Sequence, residues 1–147
     1  MNVAGSEINS NLIIIVNDNE QSIAEVHGGM YKNLAELRET GGTASNNLFK
    51  AFGLDYIYEE NGNDIASLIS LFRKVKDTDH PIVVHIHTQK GKGYEIAEKD
   101  KEGWHWCMPF DRETGKPTIS FGDGEDYTSI TAEYIICLLY TSPSPRD

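Results

Sequence analysis

The sequence is short of cysteine, of basic residues and of long apolar runs, and each shortage removes a class of protein. Two cysteines, Cys107 and Cys137, among 147 residues make no disulfide framework. The default setting for such a chain is reducing and cytoplasmic. Thirteen Lys+Arg stand against 23 Asp+Glu, a net charge of −10. An acidic surface repels phosphate polyanions, so no nucleic-acid partner is expected. The longest apolar runs, such as Leu12 to Val16, fall far short of the roughly 20 residues that cross a bilayer, so no membrane partner is expected either. The opening stretch Met1-Asn2-Val3-Ala4-Gly5-Ser6-Glu7 has no basic segment and does not read as a signal peptide. What remains suits a folded domain. Hydrophobic residues make up 39% of the chain, enough for a core and too many for a disordered segment. The acidic residues are scattered, as on a solvated surface, and no internal repeat is visible.

Three apolar runs alternate with helical spacing. Asn11-Leu12-Ile13-Ile14-Ile15-Val16-Asn17 is a continuous β-branched run, which predicts a strand buried on both faces, as in a parallel sheet. Met30, Leu34 and Leu37 are spaced for one face of a helix that stops before Gly41-Gly42. Ser45 is placed to cap a second helix carrying Leu48, Phe49 and Phe52, with Gly53 at its left-handed end. Asp55-Tyr56-Ile57-Tyr58 reads as a second strand. The turn Asn61-Gly62-Asn63-Asp64 supplies an N-cap for a helix bearing Ile65, Leu68, Ile69, Phe72 and Val75. Pro81 then opens a third strand, Ile82-Val83-Val84-His85-Ile86-His87-Thr88. Strand, helix, strand, helix, strand is the rhythm of an α/β parallel sheet with crossover helices. From Gly91 to Gly124 periodicity fades into ordered loops, and Tyr127 to Ile136 predicts the start of another helix.

The end of the chain has a different character. Cys137-Leu138-Leu139-Tyr140-Thr141-Ser142 fits the codons TGT CTC TTA TAC ACA TCT, the adapter end of transposase-made sequencing libraries. Residues 137–147 are therefore expected to be adapter read-through, and the natural sequence to stop near Ile136. The competing reading is a Pro/Ser-rich disordered tail.

In open parallel sheets ligands gather beyond the carboxyl ends of the strands. Two segments hold that position. Asn17-Asp18-Asn19-Glu20-Gln21-Ser22-Ile23 offers amide, carboxylate and main-chain oxygens, hard ligands that suit Mg²⁺; such a turn also serves as plain helix capping. Thr88-Gln89-Lys90-Gly91-Lys92-Gly93-Tyr94 combines glycines that admit close approach with two lysines that favour anions; a solvated basic turn has the same composition. His85 and His87 share a strand face, as a metal pair or as buried, hydrogen-bonded histidines. Trp104-His105-Trp106-Cys107 sets an imidazole between two indoles, a proton shuttle if it lies in a cleft. Cys107 has no activating base in sequence and reads as an inert thiol. Gly122-Asp123-Gly124 reads as a linker.

Four of these segments, in order, resemble the 1-deoxy-D-xylulose-5-phosphate synthase family of transketolase-like thiamine diphosphate enzymes. Val16-Asn17-Asp18-Asn19-Glu20-Gln21-Ser22-Ile23 is similar to the family's Asn-Asp-Asn-Glu-Met-Ser-Ile. Phe52-Gly53-Leu54-Asp55-Tyr56-Ile57 with Asn61-Gly62-Asn63-Asp64 resembles Gly-Phe-x-Tyr-Ile and Asp-Gly-His-Asp. Thr88 to Tyr94 resembles Thr-x-Lys-Gly-Lys-Gly-Tyr. Ala97-Glu98-Lys99-Asp100, His105 and Pro109-Phe110-Asp111 match the Ala-Glu, His and Phe-Asp series. The likeness runs from about Ser10 to Gly115.

The resemblance implies thiamine diphosphate and Mg²⁺ as cofactors. Asn19 would ligate the metal through its side chain and Gln21 through its main-chain carbonyl. Ile23 would lie near the thiazolium, Lys90 and Tyr94 would contact the cofactor, and His105 would handle protons. The implied substrates are pyruvate and glyceraldehyde 3-phosphate, and the implied parent is a homodimer. The domains implied are 1–115, the C-terminal part of the thiamine diphosphate-binding domain; 116–126, a linker; and 127–136, the start of a pyrimidine-binding domain. The family's Gly-Asp-Gly, which gives a further Mg²⁺ ligand, should lie upstream of Met1, and an activating glutamate in a following domain, so the isolated piece is expected to be inactive. Asn63 stands where the family has His, and the usual long insertion between Arg38 and Leu48 is nearly missing, as in a short-form branch. The other readings are a transketolase-type ketol transferase fragment and a non-catalytic α/β interaction module.

Overall fold

A computed structural model describes residues 1–21, 28–119 and 126–141. The chain forms two compact units, 1–106 and 107–147. In the first, helix α1 (Asn2–Glu7) precedes strand β1 (Ile13–Asp18), then α2 (Gly29–Glu39), α3 (Leu48–Ala51), β2 (Asp55–Glu59), α4 (Ile65–Val75), β3 (Ile82–His87), α5 (Glu95–Lys99) and a 3₁₀ turn at Gly103–His105. The three strands pair in the order β1-β3-β2, all parallel. This is the α/β parallel sheet expected.

Strand alternation sorts the side chains into two layers. On one face Val83 of β3 meets Leu34 and Leu37 of α2, Phe49 of α3, Ala4 of α1 and Leu54, with Ile14, Val16 and Tyr56 packed alongside. On the other, Val84 and Ile86 meet Leu71 and Val75 of α4, with Ile57, Leu68 and Phe72. Phe49 has no exposed surface, and truncating such a ring costs about 3–5 kcal/mol.

The double-sided burial expected of β1 belongs to β3. The central β3 buries Val83, Val84, His85 and Ile86, whereas β1 lies at the sheet's edge and leaves Ile15 54% exposed. Apolar composition cannot tell a central strand from an edge strand, because both are β-branched. The α4 stripe is also rotated from the one expected: Leu71 is buried, while Ile65 and Ile69 stay 73% and 47% exposed.

Capping residues behave as small polar side chains should, with one change. Asp64 Oδ2 accepts from Ser67 N at 2.8 Å and starts α4. The cap of α3 is Asn47, not Ser45: its Oδ1 accepts from Phe49 N at 3.0 Å and Lys50 N at 3.2 Å, which starts the helix two residues later than expected. Gly53 sits at φ +80° after it, as the expected left-handed end requires.

In the second unit Asp111 Oδ1 accepts from Glu113 N and Thr114 N, closing a turn beneath the antiparallel bridge of Phe110 to Pro117. Helix α6 (Tyr127–Thr141) is capped by Asp126, which accepts from Ser129 N at 2.8 Å. It continues past Ile136, where the expected helix stopped. Gly122-Asp123-Gly124 lies outside the described residues.

Candidate functional site at the carboxyl ends of the strands

The turn after β1 is tied to the end of β3. Register pairs Asp18 with His87, so residues 17–21 emerge beside 87–90. Thr88 N donates to the Asp18 carbonyl at 2.9 Å, and Thr88 Oγ1 donates to Asn17 Oδ1 at 2.7 Å. Within the turn Asn19 Oδ1 accepts from Gln21 N at 3.1 Å, and Asp18 Oδ1 accepts from Glu20 N at 3.0 Å. These are Asx turns, the ordinary way short amide and carboxyl side chains stabilise a bend. Glu20 adopts φ +66° and is the only non-glycine at positive φ among the described residues. That conformation costs a bulky residue of order 1 kcal/mol or more.

Beneath the turn lies a buried polar cluster. His85 has no exposed surface. Its Nε2 lies 3.0 Å from Asp18 Oδ2 and its Nδ1 2.7 Å from the Tyr56 hydroxyl. A carboxylate only accepts, so Nε2 carries the proton, and in the neutral imidazole Nδ1 accepts from Tyr56. Arg38, from α2, donates to the same Asp18 oxygen. Burial pushes the Asp18 carboxyl up, but the bonds from His85, Glu20 N and Arg38 outweigh it and hold the group well below the usual carboxylate range. Burial, then the nearby Tyr58 and Asp18, raises Tyr56 above the usual phenol value. Phe49 stacks on Tyr56 at 5.7 Å, and Tyr58 meets His85 edge-on at 5.1 Å.

His85 is thus the buried, hydrogen-bonded strand histidine, with both nitrogens engaged. His87, two residues on, reaches Glu20 Oε1 at 2.7 Å. Among the described residues no group of three His, Cys, Asp or Glu is placed to hold a metal.

The second expected segment forms its own cluster. Lys90 Nζ donates to His105 Nδ1 at 3.1 Å. Tyr94 begins α5, and Trp104 meets its ring edge-on at 5.1 Å. So Lys90 meets His105, and Tyr94 meets Trp104, the residue before His105, while Asn19 and Gln21 sit on the turn tied to Thr88. Ile23 lies outside the described residues. Asn63 Oδ1 accepts from Gln89 N at 2.6 Å, and these two residues line an open pocket of 420 Å³ with Asn61, His87 and Lys92. Cys107 is exposed.

Sequence reasoning missed the roles of Arg38, Asp18 and Tyr56. Their signal was one of parity: Asp18, Tyr56 and His85 all fall on the strand face turned toward α2.

The sequence profile of 1-deoxy-D-xylulose-5-phosphate synthase matches residues 1–46 and 40–88. A Yersinia pseudotuberculosis protein of that name is 32% identical over 161 residues, covering 88% of this chain. The chain belongs to this family. A Geobacter metallireducens 1-deoxy-D-xylulose-5-phosphate synthase 1 is 33% identical over 92% of the chain, and a Sulfurimonas denitrificans 1-deoxy-D-xylulose-5-phosphate synthase 42% identical over 62%. The chain spans about a quarter of the relatives' length, 26% for the Yersinia protein and 27% for the Geobacter protein. The family match breaks near residues 40–46, inside the stretch where the usual insertion is nearly missing.

Proposed function

We propose that the chain is part of a thiamine diphosphate- and Mg²⁺-dependent transferase. Its full-length parent would join the two-carbon unit of pyruvate, with loss of CO₂, to glyceraldehyde 3-phosphate, giving 1-deoxy-D-xylulose 5-phosphate. The observation that carries this reading is the tethered turn Asn17–Gln21 at the carboxyl edge of a parallel sheet, in a chain of this family.

The donor set fits the metal. Asn19 Oδ1 accepts from Gln21 N, and an amide oxygen has a second lone pair. Gln21 Oε1 is buried with no hydrogen-bond partner among the described residues, so the turn has unused oxygen. Mg²⁺ takes one or two protein oxygens and fills its shell with phosphate oxygens and water. Asn19, by its side chain, and Gln21, by its main-chain carbonyl, would hold the ion. Ile23 would flank the thiazolium, and Lys90 and Tyr94 would contact the coenzyme. When bound, the coenzyme supplies the carbanion chemistry. His105 would give and take protons at the substrate, with Lys90 orienting its ring through Nδ1.

Residues 1–115 would complete the coenzyme-binding domain, 116–126 would link it onward, 127–136 would open the pyrimidine-binding domain, and 137–147 would be adapter read-through. The 147 residues alone would be inactive, and the parent would be a cytoplasmic homodimer.

The test is to express the uninterrupted reading frame and assay it with pyruvate, glyceraldehyde 3-phosphate, thiamine diphosphate and Mg²⁺. Turnover supports the proposal. Turnover only with sugar phosphate ketol donors replaces it with a transketolase. A full-length protein that binds no coenzyme makes the domain a non-catalytic module and overturns it.

A further inference from the structure

We propose that two histidine–carboxylate bonds from β3 pre-set the turn that presents Asn19, so that Asp18, Glu20, His85 and His87 are positioning residues for the divalent ion. This rests on the function proposed above.

The geometry is a pair of rungs two residues apart. His85 Nε2 holds Asp18 Oδ2 at 3.0 Å, and His87 Nε2 holds Glu20 Oε1 at 2.7 Å. Asp18 and Glu20 flank Asn19 on either side, and His85 and His87 project from the same face of β3. The two rungs therefore fasten both neighbours of the ligand to the central strand. The Thr88 bonds to Asn17 and to the Asp18 carbonyl add a third tie.

Core packing accounts for His85 but not for His87. The His87 and Glu20 side chains are 28% and 46% exposed, so neither burial nor an unsatisfied buried group demands their pairing. The pair ties down the side chain of Glu20, whose Oε1 Arg38 Nε also approaches at 4.0 Å and whose amide donates to Asp18 Oδ1, and the residue so tied sits at φ +66°, a conformation uncommon for a glutamate. A turn held in its binding conformation before the ion arrives binds without a further ordering cost. Groups that orient metal ligands through a second layer of hydrogen bonds commonly change metal affinity by about 10- to 100-fold when removed.

The experiment has two arms. In the 147-residue chain, amide hydrogen exchange is followed by NMR at Glu20 and Gln21. His87→Leu should speed it about tenfold while the amides of Val83 to Ile86 keep their protection. Glu20→Gln retains an acceptor for Nε2–H and should stay within about threefold of the native rate. In the full-length protein, Mg²⁺ is titrated in the presence of thiamine diphosphate by calorimetry. His87→Leu should weaken Mg²⁺ binding about tenfold, and Glu20→Gln, which keeps the acceptor, should stay within about threefold of the native affinity. Unchanged exchange at Glu20 and Gln21 overturns the brace whatever the titration shows. Faster exchange with unchanged Mg²⁺ affinity overturns its role toward the ion. A native full-length protein that binds neither Mg²⁺ nor coenzyme refutes the functional reading itself. The exchange arm, which contains neither, still decides whether the rungs hold the turn.

Discussion

His85 Nε2 lies 3.0 Å from Asp18 Oδ2 across the β1–β3 pair, on a side chain with no exposed surface. Replacing His85 with Leu leaves a buried carboxylate with one partner fewer and a tyrosine hydroxyl with none among the described residues. The expected loss is about 2–5 kcal/mol of unfolding free energy, read by urea denaturation of the 147-residue chain. A loss below about 0.5 kcal/mol would show that the cluster is not an organising part of this core.

Tyr56 gives the fold an alkaline limit. Its pKa is raised in the folded state by burial, so the unfolded chain loses the phenolic proton first as pH climbs past about 10. The associated stability is complete below that pH and falls away above it. Tyr56→Phe should flatten the decline between about pH 9.5 and 11, at the expense of about 1 kcal/mol at neutral pH for the bond to His85. Thermal denaturation across that range checks both, and an unaltered alkaline slope rejects the assignment.

Asn19→Ala in the full-length protein should weaken Mg²⁺-dependent coenzyme binding at least about tenfold, the scale of one lost charge-assisted contact. Fluorescence titration at fixed thiamine diphosphate reads the change. Native-like binding would remove Asn19 from the metal.

His105→Gln should lower turnover by about 10²-fold or more while coenzyme affinity moves less than threefold, the pattern of a proton-handling group. Equal losses in both would make His105 a binding residue instead.

Gly62 is where β3 crowds the turn before α4. A Cβ there would collide with the Ile86 side chain and the His87 carbonyl, and would stand 2.8 Å from Thr88 Cγ2. Gly62→Ala should therefore cost about 1–3 kcal/mol and loosen the Gly62 N to His87 O bond of 2.9 Å, seen as faster amide exchange at Gly62.

Much of the fold was legible because its signals are local. Pro81, the Asp64 cap and the apolar runs place three strands and α4 within a residue or two, and the motif order names the family. The parts that were not legible depend on distant partners. Nothing near Ile15 says that it will stay 54% exposed while Ile13 of the same strand packs against the α4 cluster. Nothing near Asn47 says that its side-chain Oδ1, rather than the Ser45 hydroxyl, will meet the amides of α3. The rungs at Asp18 and Glu20 join residues 67 apart in sequence, and only the sheet register brings them together. Candidate residues were readable as types in strand-end positions, but which of them touch was not.

The shared parity of His85 and His87 has one more effect. Sliding β3 by a single residue against β1 would turn both imidazoles into the greasy layer beneath α4 and strand both carboxylates at once. Mispairing is thereby penalised by polar contacts as well as by lost apolar burial. A strand whose alternating hydrophobics alone would leave its alignment negotiable is keyed to one setting.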